Sequence, residues 1–364
     1  METLALFLCN FNILENTIIV GYGLAGFHYA RVLQQYGKEF LIISDGKLGA
    51  SRNAGGILNP TIINHFTLSW NSIEFYRKAF SKYKEFEKDY SKIIFNNLPI
   101  HYYFNKISDN NNWSLASNKK ELNTFFSDIV SNDNEKNIKG DFGYGIVSNV
   151  GKINIHKMLN MFRERLDPNS FLSESFDYNK LIIRNDNLYY KGFKASKIIF
   201  CEGYSLKNNP WFSYLPLIGS KGEFIHIKTK NLSPKIIIKG GLFIVPIEKE
   251  IYWVGATFDR KDKTEKTTKS AKEWILKKLY ERLNCSFEVI HQGTGIRPTV
   301  IDRRPLLGVH PLEKRLFVFN GLGTRGLLMG PLLADWLYQF IEENKELPTS
   351  VTIDRFQSYF SSSF

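Results

Sequence analysis

Residues 17–45 read TIIVGYGLAGFHYARVLQQYGKEFLIISD, and this stretch decides the fold. Thr17 to Val20 form a β-branched run that suits a strand buried on both faces of a parallel sheet. Phe27, Ala30, Val32 and Leu33 then give a helical stretch, Gly37 sits where that helix ends, and Phe40 to Ile43 supply a second strand. Strand, helix and strand in this order make a right-handed crossover unit. Gly21, Gly23 and Gly26 form G-x-G-x-x-G at the junction of the first strand and the helix. That context makes the pattern a dinucleotide site: the first glycine allows a tight turn, the second lets a pyrophosphate approach the backbone, and the third permits close helix–strand packing. Leu24 and Ala25 lie in the first turn of the helix, whose amides and dipole attract phosphate. Asp45, 19 residues after Gly26, is placed to accept hydrogen bonds from a ribose hydroxyl, with Ser44 as the alternative occupant of that position.

Outward from this unit the texture alternates. Residues 68–143 combine a Lys-rich helical piece, WNSIEFYRKAFSKYKEFEKDY (70–90), with short apolar runs broken by Asn-rich stretches. Helical spacing returns at Ile155, Leu159 and Phe162, and KASKIIFCEG (194–203) ends a β run at Glu202 and Gly203. SKGEFIHIK (220–228) and GLFIVPIEKEIYWVGATF (241–258) read as antiparallel strands, the latter a hairpin with a polar tip at Glu248 to Glu250. A helix near Ala271 to Leu283 follows, and residues 315–344 give a strand, a glycine turn and a long apolar helix with Pro331 in its first turns. The expected fold class is α/β (α+β overall), a Rossmann-like dinucleotide domain interleaved with an antiparallel-sheet domain. The boundaries expected are 15–75, 145–205 and 295–364 for the first, and 76–144 and 206–294 for the second.

Composition narrows the class. The chain has 364 residues, 43% of them apolar, enough for a large core and long enough for two domains. Cys9, Cys201 and Cys285 are far apart, so neither a disulfide framework nor a zinc site is expected, and a reducing, cytoplasmic setting is. The seven histidines show no paired ligand spacing, and no metal is assigned. The apolar leader, METLALFLCNFNIL, is interrupted by Asn10 and Asn12, so no signal peptide or membrane span is expected. A formal charge of +12 fits either a solvated basic surface or contact with an anionic partner.

The segments GYGLAG (21–26), GASRNAGG (49–56), FCEG (200–203), GTGIRPTVIDRRPLLG (293–308) and GLGTRGLLMGP (321–331) together resemble the D-amino-acid oxidase superfamily of FAD-dependent oxidoreductases. The resemblance runs from Ile18 to Leu333 and implies FAD as cofactor. In the GAS-x-x-AGG stretch, Ser51, Asn53, Ala54, Gly55 and Gly56 are then cofactor residues, their small size leaving the backbone open to a flat ring. The turn Asn320 to Leu327, with Gly321, Gly323, Thr324, Arg325, Gly326 and Leu327, approaches the pyrimidine side of the flavin, where amides and Arg325 stabilise negative charge. The alternative is a plain helix entry with Arg325 in solvent. Arg297 matches the arginine with which relatives clamp a substrate carboxylate, a task suited to a planar guanidinium, although an ion-pair network with Asp302 is the competing reading. Phe243 stands where glycine oxidase-like enzymes carry a tyrosine that helps hold the carboxylate. No cysteine falls in the arginine-proximal segment where some relatives bond flavin, so non-covalent FAD is implied. The implied activity is oxidation of a C–N bond of a small amine or amino acid, giving an imine that water hydrolyses, with Arg297 and Arg325 as the catalytic residues. The segment GTRGLLMGPLLADWL (323–337) also looks similar to the flavin domain of the bifunctional enzyme that makes 5-methylaminomethyl-uridine in tRNA, which keeps tRNA open as a partner. A flavin-binding protein without turnover is the remaining alternative.

Overall fold

The computed structural model describes residues 14–47, 49–131, 136–184 and 187–361. Cys9 and the apolar leader lie outside them. In the first sheet Leu14–Val20 runs parallel to Phe40–Ile43 on one side and to Phe193–Phe200 on the other, and Leu316–Asn320 continues the parallel order. The crossover between the first two strands is the helix Leu24–Gln35. A short strand, Phe171–Leu172, pairs with the outer edge at Phe40–Ile43. Phe193–Phe200 is shared along its length: its start pairs antiparallel with Leu188–Tyr190, and its end pairs with Leu316–Asn320.

The apolar run at Ile18–Val20 is continuous because both faces of the sheet are covered. Ile19 packs among the helices with Phe27, Phe162 and Leu333, whereas Ile18 and Val20 meet Phe200, Phe212 and Leu215 on the other face. The helix Gly326–Glu342 lies beside Leu24–Gln35 and carries Pro331 in its second turn, where the Leu327 carbonyl that proline cannot bond accepts from Tyr83 Oη at 2.7 Å.

The second sheet has the order Glu288–Arg297, Ser220–Lys228, Ile251–Gly255, Leu242–Glu248, Ile237–Gly240, Ile100–Tyr103, Tyr144–Val147, Phe126–Ser131. Its pairs are antiparallel except Ile237–Gly240 with Ile100–Tyr103. The hairpin anticipated around Glu248 to Glu250 joins Leu242–Glu248 to Ile251–Gly255. One face of this sheet is covered by Lys269–Arg282 through Ile275 and Leu279, and the other packs around Phe104, Trp113 and Phe126.

The Lys-rich helix, Ser72–Tyr90, presents Phe75, Ala79, Tyr83, Phe86 and Tyr90 at steps of three and four to the core that also holds Phe27 and Leu333. It therefore packs with the dinucleotide layer, and a boundary at residue 76 falls within it. Glu288–Arg297 likewise crosses residue 295 as one unbroken strand. Phe162 is fully buried and meets Phe27 edge-on at 5.3 Å. Phe162→Ala is expected to destabilise the fold by about 3–5 kcal/mol, read as a lower midpoint in chemical denaturation.

Candidate active site

A cavity of about 760 Å³ opens between the two sheets, within the range of roughly 300–1,000 Å³ that ligand sites occupy. One side is the G-x-G-x-x-G turn. Gly21 has φ +101°, and a Cβ there would stand 2.5 Å from the Cys201 carbonyl oxygen, so the turn is pressed against the end of Phe193–Phe200. A Cβ on Gly26 would lie 2.1 Å from the Gly21 carbonyl oxygen. Gly26 therefore serves helix–strand packing and does not itself face the cavity, while Gly21, Gly23, Leu24 and Ala25 line it.

Ser51 meets this turn from the next loop, its hydroxyl accepting from the Leu24 amide at 3.1 Å. Asn53, Ala54, Gly55 and Gly56 also line the cavity. The double glycine is required by protein packing: a Cβ on Gly55 would be 2.9 Å from the Trp253 ring, and one on Gly56 (φ +77°) 2.3 Å from the Ile153 carbonyl oxygen. Asn53 donates to the Thr294 carbonyl at 2.7 Å and its own carbonyl accepts from Trp253 Nε1 at 3.1 Å. The loop thus joins the nucleotide helix to the second sheet.

Ser44 and Asp45 sit at the end of Phe40–Ile43, both facing the cavity. Asp45 accepts from Ser175 at 2.9 Å and pairs with Lys47 at 3.0 Å. Burial raises its carboxyl, but the Lys47 and Ser175 hydrogen bonds outweigh this and hold it below its usual value, so it is ionised and keeps lone pairs for a ribose. Glu202 and Gly203 follow Phe193–Phe200. Glu202 accepts from Tyr178 Oη at 2.5 Å and from Asn209 Nδ2 at 2.8 Å, and burial pushes its carboxyl up to about 7.

The far end is made by the last helix and the second sheet. Gly323, Thr324, Gly326 and Leu327 line the cavity at the N-terminus of Gly326–Glu342. Gly321 does not; its φ of +75° shapes the turn against Val300 and Leu306. Arg325 is not in solvent: it donates to the Asn59 carbonyl at 3.0 Å and the Thr61 carbonyl at 3.2 Å, and burial lowers its guanidinium to about 10. Arg297 lies over Gly222, where a Cβ would stand 2.1 Å from Nη2, and makes long contacts to the Lys221 and Thr257 carbonyls at 3.4 and 3.3 Å. Asp302 is engaged by Arg355 at 2.8 Å, and among the described residues no carboxylate pairs with Arg297. Burial lowers the Arg297 guanidinium as well. Phe243 faces the same cavity.

The residues present fit a dinucleotide flavin: glycine turns that a Cβ would block, a helix N-terminus beside them, an ionised acid just after the second strand and two guanidinium groups in the cavity wall. The family profile described as "DAO: FAD dependent oxidoreductase" matches residues 16–339. The chain belongs to this family. Its cofactor is accordingly FAD, and the protein is an FAD-dependent oxidoreductase. Sequence relatives include a tRNA 5-methylaminomethyl-2-thiouridine biosynthesis bifunctional protein of Idiomarina loihiensis, 28% identical over 39% of this chain and 24% of its own. Glycine oxidase of Bacillus subtilis is 26% identical over 37% of this chain and 40% of its own. The chain thus matches less than half the length of either relative. In fold, it superposes on glycine oxidase of Bacillus cereus with a TM-score of 0.76 at 18% identity, covering 91% of this chain and 96% of that one. L-proline dehydrogenase of P. horikoshii gives 0.75 at 10% identity, over 95% and 98%.

Several cavity residues carry no signal in the G-x-G-x-x-G or glycine-turn patterns, among them Arg52, Lys239, Trp253 and Phe258. Lys239 alone had a sequence cue, a lysine inside the apolar β run KIIIKGG (235–241). Among the described residues no group of three His, Cys, Asp or Glu side chains could hold a metal, and no helix is long and apolar enough to cross a membrane.

Two outcomes follow from this geometry. Gly26→Ala forces the helix off the Gly21 carbonyl, and is expected to reduce FAD content on purification, read as the ratio of flavin to protein absorbance. Because the Glu202 carboxyl is raised from the unfolded value of 4.5 to about 7, its contribution to stability is present below pH 4.5 and is lost as pH rises through 7. Glu202→Gln mimics the neutral acid, so its stability relative to the parent should rise between pH 5 and pH 8 by on the order of 1–3 kcal/mol, measured by denaturation at both pH values.

Proposed function

We propose that the protein oxidises the carbon–nitrogen bond of a small amine or amino acid that carries a carboxylate. The observation that carries this reading is Arg297, a half-buried guanidinium on the cavity wall that no carboxylate of the described residues pairs with. Leaving a buried charge unpaired is costly, and an anionic substrate supplies the missing partner. Its planar fork binds two carboxylate oxygens together and so orients the adjoining carbon–hydrogen bond toward the ring site.

Bound FAD supplies the two-electron acceptor for that carbon–hydrogen bond, and the substrate leaves as an imine that water converts to a carbonyl and a free amine. Arg325, tied to Asn59 and Thr61 at the start of the last helix, places a fixed positive charge and the helix N-terminus in the cavity wall. Trp253, Phe224, Phe243 and Phe258 give the cavity an aromatic lining. Phe243 lines the same cavity and offers no hydroxyl, so the proposed carboxylate contact rests on Arg297. Non-covalent attachment of FAD is part of the proposal: Cys201 lies against the glycine turn, and Cys285 packs in the core behind the second sheet.

A second reading is favoured by the net charge of +12 and by the Idiomarina relative, whose name places it in tRNA modification. In that case the amine is carried on a wobble uridine. Phosphate contacts make such binding fall steeply with salt, whereas a small amino acid held by one arginine responds weakly.

Arg297→Ala is expected to raise the Michaelis constant for a carboxylate-bearing amine by tenfold or more, about 1.4 kcal/mol, with FAD content retained. Steady-state rates with sarcosine, glycine, proline and D-amino acids check this, and an unchanged constant would remove Arg297 from the clamp. Anaerobic mixing with the same amines should bleach the flavin band. Oxidation of a modified tRNA, with affinity that collapses between 50 and 200 mM salt, would move the assignment to the second reading.

A further inference from the structure

The cavity contains another buried cation, which neither the nucleotide turn nor the Arg297 clamp uses. Lys239 is only 6% exposed and lies in Ile237–Gly240, directly opposite Phe243 on one neighbouring strand and Tyr102 on the other. Residues paired directly across strands share a sheet face. Phe243 is in turn paired with Gly255, so Lys239 belongs to the face that roofs the flavin cavity, and it lines that cavity with Gly241 and Phe243.

The Lys239 ammonium donates to the Gly241 carbonyl at 2.9 Å and stands 4.8 Å from the centroid of the Phe243 ring. An ammonium has three donors, and among the described residues no carboxylate pairs with this one. Burial, with a smaller contribution from Arg282 on the opposite face of the sheet against Gly240 and Tyr103, pushes the Lys239 amine down to about 8. A lysine held in an apolar strand with no acid paired to it lacks its counter-charge, as Arg297 does.

Strand order separates the two. Arg297 is on the edge strand Glu288–Arg297, and four strand-to-strand steps lead through Ser220–Lys228, Ile251–Gly255 and Leu242–Glu248 to Ile237–Gly240. At about 4.8 Å per step, the two strands lie about 19 Å apart, with Phe243 on the strand between. Both side chains line the cavity, and they also differ in level: the row across the sheet from Lys239 runs through Phe243, Gly255 and Phe224 to Gly293, four residues along the edge strand from Arg297.

We propose that Lys239 forms a second anion subsite beyond Phe243, and that the substrate is an N-substituted amino acid whose substituent ends in an anionic group, a carboxylate or a phosphate. This deepens the proposed function and rests on Arg297 holding the first carboxylate. The apolar Phe243 then packs against the linking carbons, where a tyrosine hydroxyl would require a partner.

Binding separates this proposal from turnover. Straight-chain dicarboxylates of four to eight carbons, the monocarboxylates of matching length and the corresponding phosphonocarboxylates are titrated calorimetrically into the FAD-loaded protein. The expected result is at least tenfold tighter binding of the longer dianions than of their monoanions, with that ratio collapsing toward one in Lys239→Met and Lys239→Gln and persisting in Lys239→Arg. The tighter of the dicarboxylate and phosphonate series identifies the terminal group. Arg297→Ala weakens both monoanion and dianion series; if it weakens neither, the carboxylate clamp fails while the Lys239 ratio is still read. Equal binding of mono- and dianions by the parent protein, or a preference that survives in both neutral Lys239 variants, overturns the proposal.

Discussion

The stretch from Gly49 to Gly56 is the constraint on which the site depends, because it is bonded to both halves of the molecule. Ser51 receives the first amide of the nucleotide helix, Asn53 donates to Thr294 on the edge of the second sheet, and Trp253 returns a bond to the Asn53 carbonyl. Gly55 and Gly56 let this stretch lie against Trp253 and Ile153 without a Cβ in the way, and Gly295 approaches Ala50 closely enough that an added Cβ would sit at 3.1 Å. The cavity exists because this loop holds the glycine turn on one side and the antiparallel roof on the other.

Charge is distributed within that cavity in a consistent way. The nucleotide end presents Asp45, ionised and held by Lys47 and Ser175, next to a helix N-terminus. Elsewhere its wall presents Arg325 and Arg297, both bound to backbone carbonyls. A carbonyl partner stabilises a guanidinium without neutralising it, so these groups retain a net attraction for anions. The surface ion pairs elsewhere, such as Arg31 with Asp89, are closed on themselves and contribute little to this field.

Different parts of the molecule were legible to different degrees. The crossover at residues 17–45 was readable because its determinants are local: a β-branched run, glycines at turn spacing and a helical stripe. The hairpin around Glu248 was readable for the same reason. Domain membership of Ser72–Tyr90 was not, since a Lys-rich amphipathic helix packs against whichever core its aromatic stripe meets, and that core is assembled from Phe27, Phe162 and Leu333 far along the chain. The 49–56 loop was legible as a run of small residues, but the contacts that demand its glycines, Trp253 against Gly55 and the Ile153 carbonyl against Gly56, lie about 200 and 100 residues further along the chain.

The glycine spacing and strand periodicity by themselves determined a dinucleotide-binding crossover, because both are short-range patterns, while FAD and the full fold followed from a resemblance carried by five separated segments. Only the tertiary structure decided that Asp302 belongs to Arg355, leaving Arg297 without an acid partner, and that Lys239 turns into the cavity rather than to solvent. Whether a charge has a counter-charge depends on which distant strands become neighbours, and pairing across a sheet is set by burial over the whole chain rather than by the residues adjoining it.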